Sequence, residues 1–291
     1  MVNKVNKVKT AVLPVAGLGT RFLPASKASP KEMLPIVDRP IIQYVVEEAI
    51  AAGIENLIFV TSYTKRAIED YFDSNYELEA ALEASGKHEQ LKALKALLPA
   101  HVNCVYVRQP YPLGLGDAVM RAAAIIKEDY FAILLSDDLI DMGKKSCLNM
   151  LVEYHHQVGG NVLAVERVPK SKVDQYGIVS ADADGKVSGI VEKPSLAEAP
   201  SDLAVVGRYI LHRDIFGYLA NTKKGRGGEI QLTDALSAML SHAPFYACEH
   251  TGRRYDCGNK ADFLKATIAY ALKRSELAPG LLSYLKEIVN E

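Results

Sequence analysis

Four short runs of apolar and β-branched residues, at 12–15 (VLPV), 57–60 (LIFV), 102–107 (VNCVYV) and 131–135 (FAILL), set the strongest limit on the fold. None alternates strictly between apolar and polar, the pattern of strands covered on both faces rather than on one. Between them lie helix-period segments at 41–52, closed by Gly53, at 65–72 and at 118–126. Strand and helix take turns, and that order favours an α/β architecture with a mixed, mostly parallel central sheet flanked by helices.

The segment 76–98 is rich in Ala, Leu, Glu and Lys and stops at Pro99, which predicts one or two charged surface helices between the second and third strands. After the fourth strand the texture changes. Residues 160–167 read as another strand, and 176–180 and 186–192 flank the polar turn ADADG, so they read as a hairpin. A further strand at 203–211 is interrupted by Gly207, and antiparallel pairing is expected to extend the sheet here. Helices are predicted at 231–240, 260–273 and 281–289. No repeat, low-complexity tract or linker divides the chain.

Acids and bases nearly cancel, to a formal net charge of -1, with no dense basic stripe. That excludes the usual footprint of a nucleic-acid binder. The cysteines Cys104, Cys147, Cys248 and Cys257 show no C-x-x-C spacing and read as reduced thiols. The basic amino end, MVNKVNKVKT, leads into an apolar run broken by Pro14, and no stretch reaches the ~18 apolar residues of a membrane span. A cytoplasmic protein without membrane partners is the expectation.

The first strand runs into G-L-G-T-R, with Gly17, Gly19, Thr20 and Arg21, followed by Lys27 and Lys31. Glycine permits close approach of a ligand to the backbone, and successive amides of such a turn form an anion nest. Arg21 adds a planar fork suited to phosphate oxygens. The turn is not a dinucleotide fingerprint, because Phe22 stands where a third glycine is needed and Pro24 and Pro30 interrupt the helix that should follow. Nor is it a Walker loop, since Lys27 follows Ser26.

G-L-G-T-R-F-L-P followed by K-x-x-P-K-E-M-L-P-I-V-D-R-P-I-I-Q-Y-V-V-E-E resembles the bacterial UTP–glucose-1-phosphate uridylyltransferase family of sugar nucleotidyltransferases. Further blocks follow in order: RQPYPLGLGDAV at 108–119, LLSDDL at 134–139, DQYGIV at 174–179, VEKP at 191–194, VGRYIL at 206–211, GEIQLTDAL at 228–236 and YDCGNKADF at 255–263. The resemblance covers almost the whole chain. It implies a Rossmann-like fold whose antiparallel hairpin region forms the sugar side. One nucleotidyltransferase domain over 1–291 is expected, with a nucleotide-binding portion at about 8–140, a sugar-binding and second metal-ligand portion at about 141–262 and a helical portion at about 263–291. Magnesium-assisted attack of glucose 1-phosphate on the α-phosphorus of UTP is the implied reaction, with no covalent enzyme intermediate. Homodimers or homotetramers are common in the family.

Carried over residue by residue, the resemblance implies that Arg21 holds the β- and γ-phosphates and Lys31 the α-phosphate. Ala16, Gly17, Gly19 and Thr20 line the nucleotide, Glu32 and Gln109 read the pyrimidine, and Gly114 shapes the wall beside it. Asp137 and Asp256 become the ligands of Mg²⁺, which takes few protein carboxylates. Gly177, Glu192 and Gly207 face the hexose and Lys193 neutralises its phosphate; for Gly207 a β-bulge is the structural alternative. Lys27, Asp138, Glu229 and Gln231 carry no individual role. Ser136 and Ser29 depart from the family, which often has proline before the metal aspartate and a branched apolar residue at position 29. Two other readings stay open: a transferase for dTTP or another sugar 1-phosphate, and a non-catalytic sugar-nucleotide-binding regulator.

Overall fold

Apolar residues that do not alternate with polar ones need two cores, one on each face of a sheet, and the chain builds both. The computed structural model describes residues 7–290; the first six residues of the basic amino end, and the last residue of the 1–291 domain, lie outside the described residues. Strands β1 (Thr10–Pro14), β2 (Pro35–Ile36), β3 (Arg39–Pro40), β4 (Asn56–Thr61), β5 (Asn103–Arg108), β6 (Tyr130–Leu134), β7 (Asp138–Asp141) and β8 (Asn161–Arg167) are followed by β9 (Gly177–Ala181), β10 (Val187–Glu192), β11 (Leu203–His212), β12 (Phe245–Glu249) and β13 (Arg253–Asp256). Ala11, Leu13, Leu57, Phe59, Ala132 and Leu134 point into one core, and Val12, Ile58, Val60, Phe131 and Ile133 into the other. The period of two is thus present, with both phases apolar.

The first core is covered by α1 (Ile41–Ala51), which contributes Ile41, Ile42, Val45, Val46 and Ala49. Next come α2 (Arg66–Phe72) and the pair α3 (Tyr76–Ala84) and α4 (His88–Lys95), whose residues are not buried and which break at Gly86, with a φ of 69°. The second core takes α5 (Leu115–Met120). Its helix starts three residues before the predicted 118 and continues to residue 125 as tight i→i+3 turns rather than as α-helix. Helix α6 (Cys147–Val158) joins the first core, and α7 (Ile215–Asn221) and α8 (Leu232–Met239) the second. Helices α9 (Lys260–Leu272) and α10 (Ala278–Asn290) end the described chain.

In the central sheet the order is β10-β9-β11-β6-β1-β4-β5, with β8 paired to β11 and β12. Pairing is parallel across β6-β1-β4-β5 and antiparallel where β11 meets β6, β8 and β9. From β1 the chain first builds outward through β4 and β5, then returns to place β6 on the opposite side of β1. Such a reversal opens a crevice at the carboxyl ends of the two strands, where open α/β sheets take their ligands. The glycine turn leaves β1 there and LLSDD leaves β6. A separate two-stranded ladder, β7 with β13, pairs Asp138 with Asp256 and carries YDCG to the same edge.

Candidate active site at the carboxyl edge of the sheet

Gly19 adopts a φ of 66° and starts the short helical turn Thr20–Phe22. A Cβ on it would lie 3.3 Å from Cβ of Lys31 and 3.5 Å from Cβ of Ser26, so the glycine lets the lysine stem cross the turn. Ser26 Oγ donates to the Gly19 carbonyl at 2.8 Å. Phe22 is buried and packs edge-on against Phe263, anchoring the loop, while Gly17 has open space around its α-carbon and Ala16 is buried. Thr20, Arg21 and Lys27 are exposed.

Opposite this loop stand the acids. Lys31 Nζ lies 2.5 Å from Asp137 Oδ2. A Cβ built on Gly258 would meet Asp256 Oδ1 at 2.8 Å, Asp137 Oδ2 at 3.0 Å and Arg21 Nη1 at 3.3 Å, which places residues from three distant segments around one point. Withdrawal from water pulls the Lys31 ammonium down, but the carboxylates of Asp137 and Glu32 outweigh it and leave its pKa above the ordinary lysine value. Burial likewise pushes Asp137 up, yet Lys31 and Arg21 bring it below the usual carboxylate range. Asp138 goes the other way: burial, with Asp137 and Asp256 adding, raises it against the pull of Arg254.

The backbone around Asp137 is fastened from below by Arg208, which is fully buried. Its guanidinium donates to the carbonyls of Leu135 at 3.0 Å and Asp138 at 2.8 Å, and grips Glu48 of α1 through two bonds of 3.1 and 2.8 Å. The same Glu48 accepts the Leu148 amide that opens α6. Cys257 is buried beside this wall; burial raises its thiol strongly, as suits a residue that packs.

On the other flank, Glu32 is 2 % exposed and pairs with Lys65 at 2.7 Å. A surface acid would not be buried in this way. Gln109 is also buried, and its Nε2 donates to the Gly114 carbonyl at 3.0 Å and to Asp117 Oδ2 at 2.8 Å, while Arg121 holds Asp117 from the far side at 2.6 Å. Gly114 has a φ of 100°, and a Cβ there would stand 2.7 Å from Cβ of Glu229, so this loop is clamped onto residues 229–230. Lys65, Arg208 and Glu48 escaped the sequence reading because each is a single charged residue whose partner lies far away in the chain, and Asp117 escaped it although Arg121 and Gln109 are close in sequence.

On the hairpin side, Gly177 faces Glu192 across the β9–β10 ladder, and a Cβ on it would lie 3.4 Å from Glu192 Oε2 and 3.3 Å from Thr233 Oγ1. Thr233 Oγ1 donates to Glu192 at 2.7 Å, and Lys193 Nζ lies 3.2 Å from Glu192 Oε1. Arg21, Lys193, Tyr176 and Asp256 line one cleft of about 630 Å³. A cavity of about 640 Å³ beside α7 and α8 shares none of its lining.

Gly207 has a different surrounding. The β11–β8 register shifts between Val205 and Tyr209, which is the bulge, and a Cβ at Gly207 would lie 2.5 Å from Asp138 Oδ2 and 2.9 Å from Cβ of Leu135. Its carbonyl accepts the Leu135 amide at 2.8 Å. The glycine is therefore required by its protein neighbours, without appeal to a sugar. Gly207→Ala is expected to cost about 1–3 kcal/mol through overpacking, read as a lowered urea midpoint; an unchanged midpoint would show that Asp138 can step aside.

The nucleotidyl transferase family pattern matches residues 10–273. A UTP–glucose-1-phosphate uridylyltransferase of Staphylococcus haemolyticus is 46% identical over 286 residues, 97% of this chain and 99% of that one. The chain belongs to the UTP–glucose-1-phosphate uridylyltransferase family. Among solved structures, a UTP-bound UGPase from Acinetobacter baumannii superposes with a TM-score of 0.88 at 44% identity, covering 98% of this chain and 99% of that one. A UDP-glucose pyrophosphorylase complexed with UDP-glucose gives 0.83 at 41% identity, covering 92% of this chain and 100% of that one. No described helix is long and apolar enough to cross a membrane.

Proposed function

We propose that this chain transfers a uridylyl group from UTP to α-D-glucose 1-phosphate, giving UDP-glucose and pyrophosphate. An oxygen of the sugar phosphate attacks the α-phosphorus in line, the new P–O bond forms as the bond to the β-phosphate oxygen breaks, and pyrophosphate carries off the electron pair. The observation that carries this reading is the meeting of Arg21, Asp137 and Asp256 around Gly258, with Lys31 on Asp137. The names of the relatives point to the same reaction.

The roles are those that the family resemblance implies, and position supports them. Arg21, on the exposed rim, takes the departing β- and γ-phosphates, and Lys31 takes the α-phosphate, so that charge developing in the transition state meets fixed cations. Gly17, Gly19, Thr20 and the backbone at Ala16 border the triphosphate and base. Gln109 reads the base: its Nε2 is occupied by Gly114 and Asp117, which turns Oε1 toward a ligand donor such as uracil N3–H. Glu32, fixed by Lys65, completes that wall. Gly177, Glu192 and Lys193 receive the sugar and its phosphate, with Gly207 on the strand behind them. In these terms about 8–140 is the nucleotide side, and about 141–262 supplies the sugar side and the second carboxylate.

Asp137 and Asp256 fit Mg²⁺ by chemistry and number. They are hard oxygen donors that converge beside Gly258, and Mg²⁺ takes few protein carboxylates and keeps waters and substrate oxygens. Bound there, Mg²⁺ would neutralise phosphate charge.

Incubation of the purified protein with UTP, glucose 1-phosphate and Mg²⁺ tests the reading, with UDP-glucose and pyrophosphate measured together. The same assay across dTTP, CTP and GTP, and across galactose and N-acetylglucosamine 1-phosphates, separates sister transferases. No pyrophosphate release at high protein concentration would favour a sugar-nucleotide-binding regulator. Arg21→Ala is expected to lower kcat by about 10²–10³-fold with the fold intact, because the side chain is exposed and its hydrogen bond among the described residues is a long one, 3.4 Å to the Gly258 carbonyl. Glu192→Ala is expected to raise KM for glucose 1-phosphate by about 10- to 100-fold while sparing UTP, as loss of a charged hydrogen bond implies.

A homodimer or homotetramer in the cytoplasm completes the proposal. Leu264 (61 % exposed) on α9 and Leu282 (47 %) and Ile288 (45 %) on α10 offer apolar surface that a second copy would cover. Light scattering of the purified chain decides the assembly.

A further inference from the structure

Arg254 has no part in the roles above, yet it touches both halves of the site. Its side chain is 8 % exposed. Nε donates to Asp138 Oδ1 at 2.6 Å, Nη1 donates to Glu166 Oε1 at 2.7 Å, and the guanidinium carbon stands 5.0 Å from the centre of the Tyr176 ring. Asp138 adjoins Asp137 and is paired with Asp256 across β7 and β13. Tyr176 shares the cleft with Arg21 and Lys193, and its carbonyl accepts the Lys193 amide at 2.9 Å. Lys193 has a φ of 44°, a left-handed conformation that a non-glycine residue keeps only where its surroundings impose it.

We propose that Arg254 is a positioning residue that couples the carboxylate wall to Lys193 through Tyr176, and so sets affinity for the sugar 1-phosphate rather than for the nucleotide; this rests on the uridylyl-transfer reading above. One planar guanidinium does three things at once. Its edges neutralise Asp138 and Glu166, and its face supports the aromatic ring. The Asp138 carboxylate is wedged between Arg254 at one oxygen and the bare α-carbon of Gly207 at the other, which keeps it apart from the Asp137–Asp256 pair. With the ring held, the Tyr176 carbonyl holds the Lys193 backbone in its left-handed turn, and that turn fixes where the ammonium projects. Lysine at 254 would supply a point charge to one carboxylate but neither the second bond nor the stacked face.

The test compares Arg254→Met, Arg254→Lys, Tyr176→Leu and the Met/Leu double variant. In Arg254→Met the KM for glucose 1-phosphate is expected to rise about tenfold or more, with the KM for UTP held within about twofold, the size of effect expected for bonds to charged groups. Arg254→Lys recovers little of this. The double variant is no worse than Arg254→Met, since both changes cut the same chain of contacts. Amide hydrogen exchange of the ligand-free protein speeds at Lys193 in Arg254→Met and stays unchanged in β1. Equal rises in the two KM values, multiplicative effects in the double variant, or unaltered exchange at Lys193 would overturn the proposal. Absence of UDP-glucose formation by the unsubstituted protein would instead sink the functional reading, and exchange at Lys193 would still report on the coupling.

Discussion

Asp137→Ala is expected to lower kcat by about 10³-fold, the scale on which loss of one fixed electrostatic group acts in a phosphoryl-type transfer. Two losses coincide in that substitution. One of the two carboxylates proposed for Mg²⁺ disappears, and Lys31 loses the partner 2.5 Å away that holds its ammonium in place and charged. Asp137→Asn separates loss of charge from loss of shape, because the amide keeps the shape and one acceptor oxygen while removing the charge. Circular dichroism and thermal melting should stay close to those of the parent, since the backbone of this segment is fastened by Arg208 rather than by the Asp137 side chain. Near-normal turnover of Asp137→Ala in saturating magnesium would remove Asp137 from the reaction.

Lys65→Met is expected to destabilise the protein by about 3–5 kcal/mol, the cost of leaving one member of a buried ion pair without its counter-charge. The Lys65 and Glu32 side chains are 4 % and 1 % exposed, so solvent does little to compensate the carboxylate that stays behind. Removing both charges, in Lys65→Met with Glu32→Gln, recovers much of the loss, because the penalty belongs to the orphaned charge. Denaturant unfolding of the single and double variants measures this. A single-variant loss below about 1 kcal/mol would mean that water reaches Glu32 as freely as it reaches a surface pair. UTP binding weakens alongside, as Glu32 stands in the wall proposed for the base.

What could be read before the fold was known follows from how local each cause is. Strands with both phases apolar and the glycine turn after β1 are written in consecutive residues, and both emerge where expected. The helix predicted at 118–126 shifts to Leu115–Met120 because its start is set by the clamp of Gly114 and Gly116 on residue 230, a contact made more than a hundred positions away. Asp138, Glu32 and Glu48 look like ordinary polar residues in sequence. Their partners Arg254, Lys65 and Arg208 lie 116, 33 and 160 residues from them, and only the fold brings each pair together. Gly207 was visible as an interruption in a strand, but the side chain that demands it, Asp138, was not.

A single guanidinium, Arg208, grips the chain on either side of Asp137 while anchored to Glu48, and hence to the carboxyl end of α1 and the amino end of α6. On the reading proposed above, the acid is an anvil, expected to hold its place as substrate arrives. If the turn after β1 takes the triphosphate as proposed, accommodation falls on it, since Gly17 has room around it, and substitutions that stiffen that turn should narrow the range of nucleotides accepted without disturbing the anvil itself.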